Sequence, residues 1–199
     1  MQPKLLLNLI ASASLALARA NASDTYKIDP VHSSITFSIR HLGINNVKGR
    51  FKEYEGAVVL DNGTIAEANG TIQVKSIDTG VQKRDEHLLT ADFFDAATYP
   101  TITFKTKRVE GSGDQLILFA DFTMHGVTRE LRLPLKLSGP IKDPRGMVRI
   151  GLESKTQLNR KDFGIKYHQV LETGALALGE EVAFEINAEA VKDTPKQEK

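Results

Sequence analysis

Residues able to do chemistry are scattered along this chain. The densest group is Arg84-Asp85-Glu86-His87, which puts a cation, two carboxylates and an imidazole in one run. Such a set suits acid–base work, or the capture of a polar head group at the mouth of a cavity. It equally suits a helix start, where Asp85 and Glu86 meet the positive end of the dipole. Arg160 and Asp162 read as an ion pair that locks a turn. His32, His41, His87, His125 and His168 never fall two or four positions apart, so no strand or helix offers a ready pair of metal ligands. His32 and His125 sit beside turn-forming residues and suit hydrogen bonds to the backbone there. Cysteine is absent, which removes thiol catalysis, Cys-ligated metals and disulfides together. Gly111-Ser112-Gly113 lacks the spacing of a nucleophile elbow, and no phosphate loop or dinucleotide fingerprint occurs. These residues specify no catalytic centre and no cofactor, and leave open only a metal site assembled from distant strands.

The elements around them are written in alternation. From Glu130 to Leu137 every second residue is leucine, so Leu131, Leu133 and Leu135 share one face of a strand. The same pattern recurs in Ile35, Phe37 and Ile39; in Ile72 and Val74; in Ile102 and Phe104; in Val148, Ile150 and Leu152; and in Val182, Phe184 and Ile186. Eight strands are expected over 33–41, 49–60, 68–77, 101–109, 115–124, 129–138, 147–158 and 181–190. Asp61-Asn62-Gly63 fits a tight hairpin, as does Gly111-Ser112-Gly113-Asp114. Two segments break the pattern. Residues 83–90 have helical propensity with Leu88 and Leu89 inward, Asp92 is placed to cap a second turn carrying Phe93 and Phe94, and Pro100 ends the segment. Asn159 to Gly164 closes the seventh strand.

An eight-stranded antiparallel sheet with one apolar face suits a closed barrel, whose interior is either filled by side chains or holds one small ligand. A two-sheet sandwich satisfies the same alternation, although the lack of Trp and Cys argues against the immunoglobulin type. Patterning alone leaves a solid core and a cavity evenly matched.

Residues 1–20 read as a secretory signal peptide: Lys4, an apolar run from Leu5 to Ala18, and Ala18-Arg19-Ala20 before the cut. The run is shorter than a membrane span, so the protein is expected to be periplasmic, or secreted, and not integral to the membrane. Without Lys4 and Arg19 the formal net charge passes from +1 to −1, a balance with no electrostatic footprint for nucleic acid. Residues 21–192 are expected to form one domain, and 193–199 a polar, flexible tail.

Ordered short matches cover nearly the whole of that domain. They include Tyr26-Lys27-Ile28-Asp29-Pro30-Val31-His32-Ser33, Gly49-Arg50-Phe51, Ser76-Ile77-Asp78-Thr79-Gly80, Arg84-Asp85-Glu86-His87-Leu88, Asp92-Phe93-Phe94-Asp95, His125-Gly126-Val127-Thr128 and Asn159-Arg160-Lys161-Asp162-Phe163-Gly164. With these the chain resembles the YceI-like family of exported, lipocalin-like, polyisoprenoid-binding proteins. The resemblance implies an all-β, eight-stranded antiparallel barrel with a short helix near one end. It also implies non-catalytic carriage or storage of a long-chain isoprenoid lipid, such as a prenyl quinone. On this reading the lumen is lined by Ile35, Phe37, Ile39, Ile72, Val74, Phe93, Phe94, Phe104, Phe119, Leu131, Leu133, Leu135, Ile150, Phe184 and Ile186, with residues 84–94 near the entrance. The expected partner is the lipid, and a homodimer is compatible with the pattern. The alternative is a lipid-modifying enzyme using His87, Asp85 and Arg84 at the mouth.

Overall fold

The computed structural model describes residues 23–113, 115–170 and 177–193. The expected leader lies outside this range, as does the tail beyond Asp193. The described strands are β1 (Asp24–His41), β2 (Asn45–Phe51), β3 (Tyr54–Asp61), β4 (Thr64–Gln73), β5 (Ile77–Asp78), β6 (Thr101–Glu110), β7 (Leu116–Met124), β8 (Val127–Lys142), β9 (Val148–Asn159) and β10 (Leu178–Lys192). One α-helix, α1 (Gln82–Leu88), follows β5, and short 3-10 turns occur at Val74–Ser76 and Arg160–Phe163.

The pairing order β10-β9-β8-β7-β6-β4-β3-β1 returns on itself through β10 and β1, so the sheet closes. β2 and β3 together run antiparallel to β1, with Ile35 opposite Phe51 and Tyr26 opposite Val58. They are one strand broken at Lys52-Glu53. β4 and β5 are a second broken strand, and the two breaks face each other. Ser76, which is buried, stitches them: its hydroxyl donates to the Gln73 carbonyl at 2.7 Å and accepts from the Lys52 amide at 3.1 Å. With the broken strands joined, the molecule is a closed eight-stranded antiparallel barrel.

The sequence expectation placed the first strand at 33–41, but it begins nine residues earlier, at Asp24. A bulge between Asp29 and Ser34 absorbs Pro30, which cannot donate to the ladder, and lets one long strand bend. The Asn62-Gly63 hairpin forms as read, with both residues at positive φ (50° and 79°), the signature of a type I′ turn. His125-Gly126 makes a second turn of this kind (52° and 72°) between β7 and β8.

The connection 79–100 and the described part of the second long connection, 160–170, lie at one end of the barrel, where α1 sits. The Asn62-Gly63 hairpin and the facing ends of β6 and β7 lie at the other. The core divides accordingly. At the hairpin end Tyr26, Val58, Leu60, Leu118, Ala120, Ile150 and Ala190 form one buried cluster. Towards α1 a second cluster holds Phe51, Ile102, Phe122, Leu158, Phe163 and Phe184. Phe104, Leu131 and Ile186 pack against both and mark the junction. Among the described residues no helix is long and apolar enough to cross a membrane.

Candidate functional site

The hairpin end holds only a small void, whereas the helix end is hollow. A cavity of about 320 Å³ opens beneath α1, walled by Phe37 and Ile39 of β1, Val47 and Phe51 of β2, Ile102 of β6, Phe122 and Met124 of β7, Leu158 of β9, and Leu178, Val182 and Phe184 of β10. Alternation puts these side chains inside: Phe37, Ile39 and His41 are successive inward positions, and so are Val182 and Phe184. From Phe37 to His41 the wall runs about 13 Å along β1, four steps of about 3.3 Å. Leu88, Phe93 and Phe94 cover it from the α1 segment, and Ile165 and Tyr167 from the second long connection. Below the junction a smaller void of about 70 Å³ lies among Ile35, Ile72, Phe104, Leu133, Leu135 and Ile186.

The expected lumen residues thus fall into groups. Phe37, Ile39, Phe93, Phe94 and Phe184 line the large cavity. Ile35, Ile72, Phe104, Leu133, Leu135 and Ile186 line the small void. Val74 is buried in the helix-end cluster, Ile150 in the hairpin-end cluster, and Leu131 is half-buried between the two. Phe119 requires a correction. β7 buries Leu116, Leu118, Ala120, Phe122 and Met124, which leaves Phe119 on the outer surface, where the Arg108 guanidinium lies 3.6 Å from its ring centroid. The run Leu116-Ile117-Leu118-Phe119 is apolar throughout and hides the phase of the alternation.

Polar groups gather at the helix end of the large cavity: His41, Thr79, Arg84, His87, Arg160 and Gln169. The Arg84-to-His87 run is both helix and cavity wall. Arg84 donates from Nε to the Thr79 hydroxyl (2.7 Å) and from Nη2 to the Thr79 carbonyl (2.8 Å). Asp85 Oδ1 accepts from the Thr79 amide at 2.9 Å and from its hydroxyl. Both charged residues therefore clamp the turn that leads into α1. His87 Nε2 lies 2.8 Å from Asp92 Oδ2, and its ring meets Phe93 and Tyr167 edge-on, at 5.1 and 5.3 Å between centroids. Asp92, read as a cap for the next turn, here holds the imidazole against the lid.

Arg160 departs furthest from expectation. Only 3% exposed, it makes no ion pair with Asp162. Its Nε donates to the Gly179 carbonyl and its Nη1 to the Ile165 carbonyl, each at 2.9 Å. Nη2 is buried with no partner among the described residues. Burial pushes this guanidinium below its ordinary value, with Glu180 pulling weakly the other way. Glu180 itself is engaged by Lys161. Burial of Arg160 has no signature in the residues around it, whereas Ile102, Leu158 and Val182 sit on faces the alternation defines; it assigns Phe51 and Phe122 no face.

Asp29, His32 and Glu189 at the bulge of β1 bring possible ligand atoms within 4.8 Å of one another. A cation is already present there. Arg149 Nη1 lies 2.8 Å from Asp29 Oδ2 and 3.4 Å from Glu189 Oε2, and its Nε lies 2.9 Å from Asp143 Oδ2. The group is a largely buried ion-pair network that fastens β1, β9 and β10. His32 bonds the Asp29 side chain, while His125 follows the expectation: the Phe163 carbonyl accepts from its Nδ1 at 3.1 Å.

Fold and site together define a lipocalin-like barrel, closed and packed at one end and hollow at the other. The YceI-like domain matches residues 26–190. The chain is 39% identical over 170 residues to Protein YceI of an Escherichia coli strain, covering 83% of this chain and 88% of the relative. Among solved structures, a Campylobacter jejuni YCEI protein superposes with a TM-score of 0.67 at 30% identity, covering 78% of this chain and 91% of that one. A polyisoprenoid binding domain from Saccharophagus degradans superposes with a TM-score of 0.63 at 17% identity, covering 84% and 98%. This chain belongs to the YceI-like family.

Proposed function

We propose that the protein binds, without chemical change, a lipid whose apolar chain of prenyl type lies in the helix-end cavity. The carrying observation is the cavity itself: an interior of about 320 Å³ walled by Phe37, Phe51, Phe122, Phe184 and aliphatic side chains. That volume lies within the range of ligand pockets, about 300–1,000 Å³. Each methylene buried there contributes about 0.8 kcal/mol, so a chain of modest length binds tightly with few polar contacts. The polyisoprenoid binding domain of Saccharophagus degradans, which shares this fold, supports the chain type. A prenyl quinone is one member of the class.

The polar residues favour binding over turnover. Asp85 is committed to Thr79 and His87 to Asp92, and the Thr79 hydroxyl is held between Arg84 and Asp85. Among the described wall residues, none pairs a nucleophile with an uncommitted base. Export to the periplasm belongs to the same proposal and is supported by the leader-like residues 1–20.

Organic extraction of protein purified from its native host, followed by mass spectrometry, tests this reading. A stoichiometric prenyl lipid is expected. No lipid in the extract, together with no uptake of prenyl compounds by the delipidated protein, overturns it.

A further inference from the structure

The cavity is apolar over most of its wall, yet a buried cation, Arg160, stands among its lining residues. A guanidinium buried without a carboxylate is costly, because the field of the charge is no longer screened by water. Two backbone carbonyls satisfy Nε and Nη1 of Arg160 and leave Nη2 unpaired among the described residues. Arg84 lines the same end and spends its mapped hydrogen bonds on Thr79, a neutral partner. The nearby carboxylates are otherwise engaged: Asp85 by Thr79, Asp92 by His87, and Glu180 by Lys161. The wall of this cavity thus carries two arginines and, among the described residues, no carboxylate side chain.

We propose that the lipid bound in this cavity carries an acidic head group, a carboxylate or a phosphate monoester, which sits against the guanidinium groups of Arg160 and Arg84 while the chain runs down toward Phe184. This deepens the lipid-binding reading above and rests on it. Placed there, an anion supplies the counter-charge that the buried cation lacks. A neutral quinone or alcohol supplies an acceptor without the charge, and an amine supplies neither. Discrimination therefore comes from the head group, and the aromatic wall sets only how much chain is buried.

The test is calorimetric titration of the delipidated full chain with farnesyl monophosphate, farnesol and farnesylamine, which share one tail. The phosphate is expected to bind at least tenfold more tightly than the alcohol, and the amine most weakly. In Arg160→Met the gap between phosphate and alcohol should shrink severalfold, while Arg160→Lys keeps part of it. If Arg160→Met fails to fold, Arg84→Met and the wild-type ranking carry the decision. Equal affinity for phosphate and alcohol overturns the acidic head but leaves lipid binding standing. Inorganic phosphate binding as tightly as farnesyl monophosphate also overturns it, since the site would then hold an anion without a tail. Failure of all three prenyl compounds to bind overturns both readings.

Discussion

The far end of the Phe37 ring occupies the space that a side chain on Gly49 would need. The two residues are directly opposite across β1 and β2, and a Cβ built on Gly49 would lie 2.3 Å from Phe37 Cζ. Phe104 repeats the relationship with Gly70 across β6 and β4, its Cε1 standing 2.4 Å from the place of a Cβ. In each pair the glycine lets an aromatic ring rest on the barrel wall. Phe37 borders the large cavity and Phe104 the junction below it, so these glycines set how much of the interior stays open.

Gly49→Ala should therefore drive the Phe37 ring off the wall. The expected cost is about 1–3 kcal/mol, the usual range for an overpacked core. Prenyl-lipid uptake should fall with it, because the displaced ring enters the cavity. Urea denaturation and lipid titration read the two effects separately. Phe37→Leu in the Gly49→Ala background should restore much of both, giving a coupling that a double-mutant cycle detects. Simple additivity would show that the ring does not rest on Gly49.

The outward position of Phe119 can be checked against the inward position of Phe184. Phe119→Ala removes an exposed cation–π contact with Arg108 and should cost no more than about 1 kcal/mol, with lipid binding unchanged. Phe184→Ala empties part of a buried wall and should cost about 3 kcal/mol or more while weakening the lipid. A reversed order of the two effects would put β7 in the opposite phase.

How much of this was legible depended on local signals. Alternation in β6, β8, β9 and β10 exposed the barrel, and Asn62-Gly63 marked its turn because only a few residue types tolerate two successive positive φ angles. The split of β2 from β3 at Lys52-Glu53 was invisible, since it depends on Ser76 from a strand more than twenty residues away. Phe119 was misplaced because four apolar residues in a row carry no phase. Arg160 looked like half of an ion pair with Asp162, and only the return of β10 puts the Gly179 carbonyl within its reach. Lumen walls are periodic and readable. A buried charge is defined by what surrounds it in space.

Acid should weaken the ion-pair network around Arg149. Arg149 and, next, His32 hold the Asp29 carboxyl down to about 2, and Arg149 also lowers Asp143. A carboxyl whose folded pKa is depressed contributes stability that is complete above its ordinary value near 3.9 and is lost as pH falls toward 2. Thermal melts between pH 6 and pH 2 should thus show the melting temperature dropping below about pH 4. In Arg149→Met the neutral-pH melting temperature should be lower, and its further fall with acid shallower. An unchanged acid slope in that variant would remove the network from the account.

Ser154 offers a test of whether the small void is dry. Its hydroxyl is buried with no hydrogen-bond partner among the described residues, and Ser154 lines the void of about 70 Å³ together with Val58, Ala68, Leu118, Leu133 and Leu152. That volume exceeds what one water needs, but a buried water also requires two to four polar partners, and the neighbours are chiefly aliphatic. In a dry void the lone hydroxyl costs stability, and removing it should help. Ser154→Ala is accordingly expected to gain about 1 kcal/mol in urea denaturation, and Ser154→Val somewhat more by filling space. A loss in Ser154→Ala would mean that water occupies the void and bonds the hydroxyl. The floor under the lipid cavity would then be wet, and a chain reaching past Phe104 would have to displace that water.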